Sequence, residues 1–338
     1  MIPQISSSWM LPLQCLQSVT AVCIIGLALL LFIVNRIYRS FKIKEDFGDL
    51  YVLITGCDTG FGYRTAIKLD KLGFHVFATC LTQEKVQELT ETCSKNLVAF
   101  QMNVADEDTI RDGLTLVKKH LGGEKGLWAL INNAGVVGAF GPCEWLKKSD
   151  YEATLNVNLL GMVSVTNAFL PLVRKCRGRV VNMSSTVGRA ALLPAPYSVS
   201  KFCVEAYTDM LRREAEHWGV SVHTIEPGGY KTNITDPDLH SGSADKVFNS
   251  LDPEMKNLYG ETYKKKLIDM VSLFSYTIVG RNLDEVVDTY IHAVSARFPK
   301  TRYVVGFNGN FVLRPLWTLP TCFVDLCMSP LYPKLKGS

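Results

Sequence analysis

The stretch "LYVLITGCDTGFG", Leu50 to Gly62, decides the fold. Its first half is a continuous apolar run of strand length, and its second half is a glycine-rich turn. Glycines at 56, 60 and 62 let the backbone turn tightly, and a helix is expected to begin near Phe61. A strand that runs through such a turn into a helix presents backbone N–H groups and a helix N-terminus to a pyrophosphate. The spacing is T-G-x-x-x-G-x-G, not G-x-G-x-x-G, and a glycine-rich turn alone can be just a turn. Its place between strand and helix favours the binding reading, with Thr55, Gly56, Asp58, Thr59, Gly60, Phe61 and Gly62 as candidates.

Outward from this stretch, strand-like and helix-like segments alternate. "FHVFATC", "LVAFQMNV", "LWALIN", "GRVVNMS" and "VSVHTIE" read as strands two to six, and "TRYVVGF" as a seventh. Helical stretches are expected from about Ser149 to Cys176 and from Ala195 to His217. Apolar runs this continuous suit parallel strands covered on both faces, and the repeated β-α pattern predicts an α/β fold with a doubly wound parallel sheet. The stretch from Lys231 to Arg281 reads as irregular with short helical pieces, either a substrate lid or a surface excursion. The tail "FVLRPLWTLPTCFVDLCMSPLYP" is apolar but broken by Arg314, Pro315, Pro320 and Asp325. It is a poor transmembrane candidate that could line a pocket or rest on a bilayer.

The 338 residues are 47% apolar and carry a net charge of +4, enough for one large domain with an appendage. Basic residues are interleaved with acids, which speaks against a nucleic-acid partner. The ten cysteines form no C-x-x-C pair, so neither a zinc site nor a disulfide framework is read, and no metal is expected. No charged side chain precedes Arg36, and "VTAVCIIGLALLLFIV", Val19 to Val34, is nearly all apolar, extended by uncharged residues from Trp9. A span needs ~20 such residues. A cleaved signal peptide is the competing reading, but the basic n-region and the small-residue cleavage site are missing. Residues 1–40 are therefore read as one membrane anchor, 41–49 as a linker, 50–307 as the main domain with its lid at about 231–281, and 308–338 as an apolar tail. Arg36, Arg39, Lys42 and Lys44 follow the apolar run and would leave the main domain in the cytosol.

Three further motifs fall at strand ends. "NNAG", Asn132 to Gly135, closes strand four, where open α/β sheets bind ligands, although such a run also suits a plain turn. "NMSS", Asn182 to Ser185, closes strand five. Asn182 and Asn233 each begin a glycosylation sequon; the first is discounted because it ends a buried strand, the second stays open. "YSVSK" puts Tyr197 and Lys201 on one helix face, and alone it would be two solvated side chains as readily as a proton-transfer pair.

Together, in this order and spacing, these motifs and "PGGYKT" resemble the short-chain dehydrogenase/reductase family over about Leu50 to Phe307. "GLWALINNAG", "FLPLVRKCRGRVVNMSSTVGR" and "YSVSKFCVEAYTDMLRRE" are similar to its membrane-bound retinol and 17β-hydroxysteroid dehydrogenase branch, and mitochondrial 3-hydroxybutyrate dehydrogenase shares several stretches. The resemblance implies a Rossmann-type fold and a nicotinamide cofactor held by the glycine turn, Asn103, Val104, Asn133, Ala134, Gly135, Tyr197, Lys201, Pro227, Gly228 and Thr232. It implies Tyr197 as general acid/base, Lys201 as the group that lowers its pKa and holds the nicotinamide ribose, and Ser185 as the residue that, with Tyr197, binds the substrate oxygen. Asn158, rather than Asn156, would anchor a water that relays the proton. A free phenol titrates near ~10, so a base at neutral pH needs about three units of depression, roughly 4 kcal/mol. It implies the endoplasmic reticulum membrane as the location and a homodimer as the assembly. Asn103-Val104 departs from the Asp-Val pair frequent in the family, yet an amide oxygen can still accept from adenine.

No basic residue lies near the end of strand two or in the glycine turn before Arg64, which favours NAD over NADP, though the Asp usual at that strand end is also missing. The leading reading is a hydrophobic alcohol, steroid or retinol, as substrate. The alternatives are a small hydroxy acid such as 3-hydroxybutyrate, which would need lid cations such as Lys231 or Lys264 to Lys266, and a non-enzymatic binding protein on the same fold.

Overall fold

The computed structural model of the chain describes residues 10–192, 194–277 and 279–335. Trp9 lies outside them. Contacts divide the chain into two compact units. One holds the described residues up to Glu45 together with Ser295–Pro299. It is dominated by helix α1, Met10–Ser40, whose segment Val22–Ser40 is long and apolar enough to cross a membrane and is not buried at all. Near the end of α1, Arg39 donates to the carbonyls of Phe298 (3.0 Å) and Pro299 (2.9 Å), and Tyr38 stacks on Phe298.

The second unit, Asp46–Val294 with Lys300 onward, carries the sheet. In chain order its elements are β1 (Tyr51–Ile54), α2 (Gly60–Lys71), β2 (His75–Cys80), α3 (Gln83–Thr92), β3 (Leu97–Gln101), α4 (Glu107–Leu121) and β4 (Ala129–Asn132). Then come α5 (Lys148–Leu155), a π-helical turn (Asn156–Gly161), α6 (Met162–Lys175), β5 (Arg179–Met183), α7 (Ala195–Ala215) and β6 (Ser221–Pro227). The chain continues through α8 (Pro237–Asn249), α9 (Pro253–Thr277), α10 (Asp284–Ser295), β7 (Arg302–Val305), α11 (Arg314–Leu316) and α12 (Thr321–Met328). All strands are parallel, in the order β3-β2-β1-β4-β5-β6-β7. The reversal of winding beside β1 and β4 opens a crevice at their carboxyl ends, the place where such sheets take ligands.

The strand runs are continuous because both faces are covered: every residue of β1, β4 and β5 is buried. On one face Leu53, Phe77, Leu130 and Val180 pack against Val165, Phe169 and Val173 of α6, Val117 of α4 and Leu211 of α7. Truncating a side chain such as Phe169 to Ala costs about 3–5 kcal/mol in sites of this kind. The α5–α6 segment, Lys148–Lys175, is also apolar enough to pass as a membrane span, but 44% of it is buried and its apolar stripe packs on the sheet.

The stretch after β6 is more regular than expected. Two helices fill it, α8 and α9, the second kinked at Gly260 (φ +71°). Asp236 starts α8 by accepting from the Asp238 N–H, with Pro237 at the first helical position. These helices build a satellite cluster in which Phe248, Tyr263 and Leu267 close over Phe140 and Trp145. The apolar tail is also helical, and it leaves Phe307, Phe311 and Leu326 about 70% exposed.

Candidate active site

The carboxyl ends of β1, β4, β5 and β6 meet at one side of the sheet. Thr55 closes β1, and its Oγ1 accepts from the N–H groups of Asn133 and Ala134, each at 3.1 Å. Asn133 returns the contact: its Nδ2 donates to the carbonyls of Thr55 and Gly56, both at 2.9 Å, and its Oδ1 accepts from the hydroxyl of fully buried Tyr290. The glycine turn and the Asn-Asn-Ala-Gly run are thus stapled together. The staple requires backbone contact, because a Cβ on Gly56 would lie 2.7 Å from Ala134 Cα and one on Gly62 2.2 Å from the Gly56 carbonyl oxygen.

Gly60, at φ +64°, opens α2, and a Cβ there would project toward Thr232, 3.8 Å from its Cγ2. The helix N-terminus therefore faces the turn after β6 at close range. Thr59 is extended and exposed, and Phe61 meets the Tyr230 ring edge-on at 5.8 Å. Gly228 is pinned by its N–H to the Val305 carbonyl, next to Pro227, which ends β6; the Thr232 N–H donates to Thr235 Oγ1. Asn103 and Val104 follow the outermost strand. Asn103 Oδ1 accepts from the Ala105 N–H in a local turn, and Val104 is buried.

Asp58 does something the sequence did not disclose. Its carboxylate accepts from the N–H groups of Leu81 (2.9 and 3.0 Å) and Thr82 (3.3 Å), just past the end of β2. The acid missing from the strand end is supplied from the glycine turn. The one signal was an acid inside that turn; its reach across the sheet is a tertiary fact. Arg64 on α2 is paired with Asp284, and Lys85 on α3 with Glu88.

On the other side stand the candidate proton-transfer groups. Lys201, 1% exposed, donates from Nζ to the Met183 carbonyl at 2.9 Å and lies 5.5 Å from the Tyr197 ring centroid. A Cβ on Gly135 would fall 3.2 Å from Asn158 Oδ1 and 3.7 Å from Lys201 Nζ, so these three residues converge. Ser185 Oγ accepts from the Val187 N–H and donates to the Pro227 carbonyl at 3.4 Å, a weak bond that leaves the hydroxyl free to reorient. The neighbouring Ser184 lies against Glu205 instead. Asn158 is fully buried in the π-helical turn. Its Oδ1 accepts from the Val136 N–H, and its Nδ2 donates to the Val136 carbonyl and to Ser200 Oγ, all within 2.9 Å. The amide has spent both donors on protein, so the side chain works as a clamp on the Asn-Asn-Ala-Gly loop.

Burial dominates the titration of this pair. It pushes the Lys201 ammonium down to about 8, opposed by the charge of Glu205. It pushes the Tyr197 phenol up to about 12, opposed by hydrogen bonding with Ser185. The depression expected of Tyr197 is therefore reversed in the protein alone, because the desolvation of the phenolate outweighs its polar neighbours. Of the sequons, Asn182 is fully buried and bonded to Asn132 and Thr208, while Asn233 is exposed.

Residues 50–241 match the short chain dehydrogenase family. The chain belongs to that family. It is 41% identical to retinol dehydrogenase 7 of Rattus norvegicus over 294 residues, 86% of this chain and 91% of the relative. It is 39% identical to 17-beta-hydroxysteroid dehydrogenase type 6 of the same species over 308 residues, 91% and 95% of the two chains. The fold is shared with a short-chain dehydrogenase/reductase of Burkholderia phymatum solved in complex with NAD, at a TM-score of 0.65 and 18% identity, covering 86% of this chain and 99% of that one. The protein is an oxidoreductase of this family, and the doubly wound parallel sheet is the family's fold.

Proposed function

We propose that the protein is a membrane-anchored dehydrogenase that oxidises a hydrophobic alcohol of the retinol or steroid type with NAD. The observation that carries the reading is the convergence of Lys201, Tyr197 and Ser185 next to Gly135 and Asn158 of the Asn-Asn-Ala-Gly region. The helix N-terminus and the Gly56–Gly62 backbone fit a dinucleotide. In this reading the turn from Thr55 to Gly62 holds the pyrophosphate, Lys201 the nicotinamide ribose, Thr232 the carboxamide, and Asn103-Val104 the adenine. The cofactor, when bound, accepts the hydride and brings a positive ring near the phenol.

Ser185 donates to the substrate oxygen and orients it toward the Tyr197 hydroxyl. Tyr197 accepts the alcohol proton once local positive charge has brought its pKa back down. Lys201 supplies part of that charge and passes the proton outward. The Asn158 amide is engaged elsewhere, so we assign the water-holding role to the main chain of its π-helical turn, a geometry that frees a carbonyl from the regular ladder. Asp58 at the end of β2 repels a 2′-phosphate, and the paired state of Arg64 and Lys85 supports NAD over NADP.

The exposed apolar segment Val22–Ser40 supports the anchor, and Arg36, Arg39, Lys42 and Lys44 support a cytosolic main domain on an endoplasmic reticulum membrane. The exposed tail around Phe307 and Phe311 fits contact with lipid or a lipid-soluble substrate. A small hydroxy acid is less well served: Lys264 is tied to Asp245 and Glu261, while Lys231, Lys265 and Lys266 are exposed. The test is NAD reduction by detergent-solubilised protein with retinol, hydroxysteroids and 3-hydroxybutyrate. Turnover of retinol or a steroid, lost in Tyr197→Phe, is expected. Turnover of the hydroxy acid alone, or reduction that persists in Tyr197→Phe, would refute the reading.

A further inference from the structure

At the amino-terminal edge of the sheet, opposite the candidate active site, the loops that lead into β5 and β6 lie side by side. They do so because Arg179 and Ser221, the first residues of those strands, are in register. Helix α6 ends with the Arg177 N–H donating to the Arg174 carbonyl and the Gly178 N–H to the Val173 carbonyl, each at 3.0 Å. The chain after α7 turns at Gly219 (φ +70°), whose N–H donates to the Glu216 carbonyl at 2.9 Å. Between the two turns is an open cavity of about 470 Å³, lined by Arg174, Arg177, His217, Trp218 and Gly219. The proposed alcohol oxidation makes no use of it.

The Arg174 guanidinium lies over the Trp218 ring, 4.8 Å from its centroid, a stacking that leaves the N–H edge available. Arg177 lays its stem against Gly219, where a Cβ would come within 3.2 Å of Arg177 Cδ and 3.3 Å of Cγ. Both arginines are exposed, and among the described residues neither forms an ion pair. Glu214 and Glu216, the acids at the adjacent end of α7 and just past it, are exposed and pair with neither. Cations at the end of a helix complement its dipole, and that accounts for Arg174 and Lys175. It does not account for Arg177. That residue holds φ +47°, the left-handed conformation in which a helix end favours glycine, and among the described residues it is the one non-glycine with a positive φ. Strain of this kind collects at functional positions.

We propose that this cavity is a binding site for a phosphate group. Two guanidiniums without carboxylate partners offer forked N–H donors, which suit bidentate contact with phosphate oxygens. His217 adds a ring nitrogen, and the Trp218 face supplies an apolar wall for whatever carries the phosphate. The volume is in the range of small-ligand pockets, with room for a phosphate and its carrier. A phosphate reaches the cavity either on a phospholipid headgroup or in a free compound, and the experiment separates the two. The site does not depend on the alcohol chemistry proposed above.

The experiment titrates the full-length protein in a non-ionic, phosphate-free detergent, without NAD, while heat and tryptophan fluorescence are recorded. The probes are inorganic phosphate, dioctanoyl phosphatidic acid and, as the uncharged control, dioctanoylglycerol. A saturable response to a phosphate-bearing probe is expected, and Trp218→Phe should remove its fluorescence part. Arg174→Gln should weaken the affinity about tenfold or more, the weight of a charge-assisted hydrogen bond. Arg177→Gly separates binding from structure. Glycine relieves the left-handed backbone, so the thermal midpoint should hold or rise while the affinity falls about tenfold or more. Phosphate taken up by the glycine turn of the candidate active site would not depend on either arginine. A response to inorganic phosphate assigns the site to a free compound, and a response to phosphatidic acid alone assigns it to a lipid headgroup; either upholds the proposal. No saturable response, one that survives both arginine substitutions, or one matched by dioctanoylglycerol would overturn it.

Discussion

At the ends of β1 and β4, the polar groups of buried Thr55 and half-buried Asn133 are matched to hydrogen-bond partners. On α7, beside the end of β5, buried Lys201 and half-buried Tyr197 sit on worse terms. Lys201 has one carbonyl partner and a strongly weakened charge, and the Tyr197 phenolate is disfavoured by burial. The first cluster gives its hydrogen bonds to holding two loops in register. The second holds titratable groups away from their ordinary pKa values, the condition in which proton transfer is tuned by whatever binds beside them. The difference separates polar residues that hold two loops together from polar residues whose titration is perturbed.

The largest effect that would break this contrast is at Lys201. Lys201→Met should lower alcohol oxidation by roughly 10²–10⁴-fold, the usual weight of a proton-transfer group. It should also stabilise the protein at pH 7. The folded pKa of about 8 lies below the ordinary 10.5, so below pH 8 the folded state bears the full cost of a buried ammonium. That cost is about 3 kcal/mol and fades as pH rises from 8 to 10.5. Denaturant melts at pH 7 and pH 10.5 check it: the stability gain should be present at the first and nearly gone at the second. A variant less stable than wild type at pH 7 would place Lys201 in the structural class.

Asn133→Ala should show the opposite pattern. It leaves the Thr55 and Gly56 carbonyls and the Tyr290 hydroxyl without their partner, at about 1–3 kcal/mol. The loss should appear as a lower denaturation midpoint with little pH dependence between 6 and 9. A pH-shaped loss would mean the staple also tunes a titration. The smallest effect is expected at Asp58. Asp58→Asn keeps the shape of the contact with Leu81 and Thr82 but removes the charge, and should narrow the preference for NAD over NADP by a few-fold. An unchanged ratio of kcat/KM for the two cofactors would show that the carboxylate acts on the loop alone.

Much of this was readable along the chain. The strands were, because a parallel sheet covered on both faces leaves unbroken apolar runs such as "LYVLI" and "GRVVNM". The helices after β6 were less so. Ser, Gly and His weaken the helical pattern of α8, and Gly260 breaks that of α9, although Asp236-Pro237 is a helix start signal. The carboxylate at the end of β2 could not be placed from spacing, because Asp58 lies in a different loop from the N–H groups it binds. Nor could the state of the Asn158 amide, which depends on what Val136 and Ser200 present to it.

The sequence by itself determined the order of strands and helices, the glycines at the turn and the spacing of tyrosine to lysine, since these follow from local periodicity and backbone sterics. Only the tertiary structure decided which polar groups are satisfied and which are left costly. Burial and partnership belong to chain segments far apart in sequence, and a pKa is set by the surroundings that those segments build together.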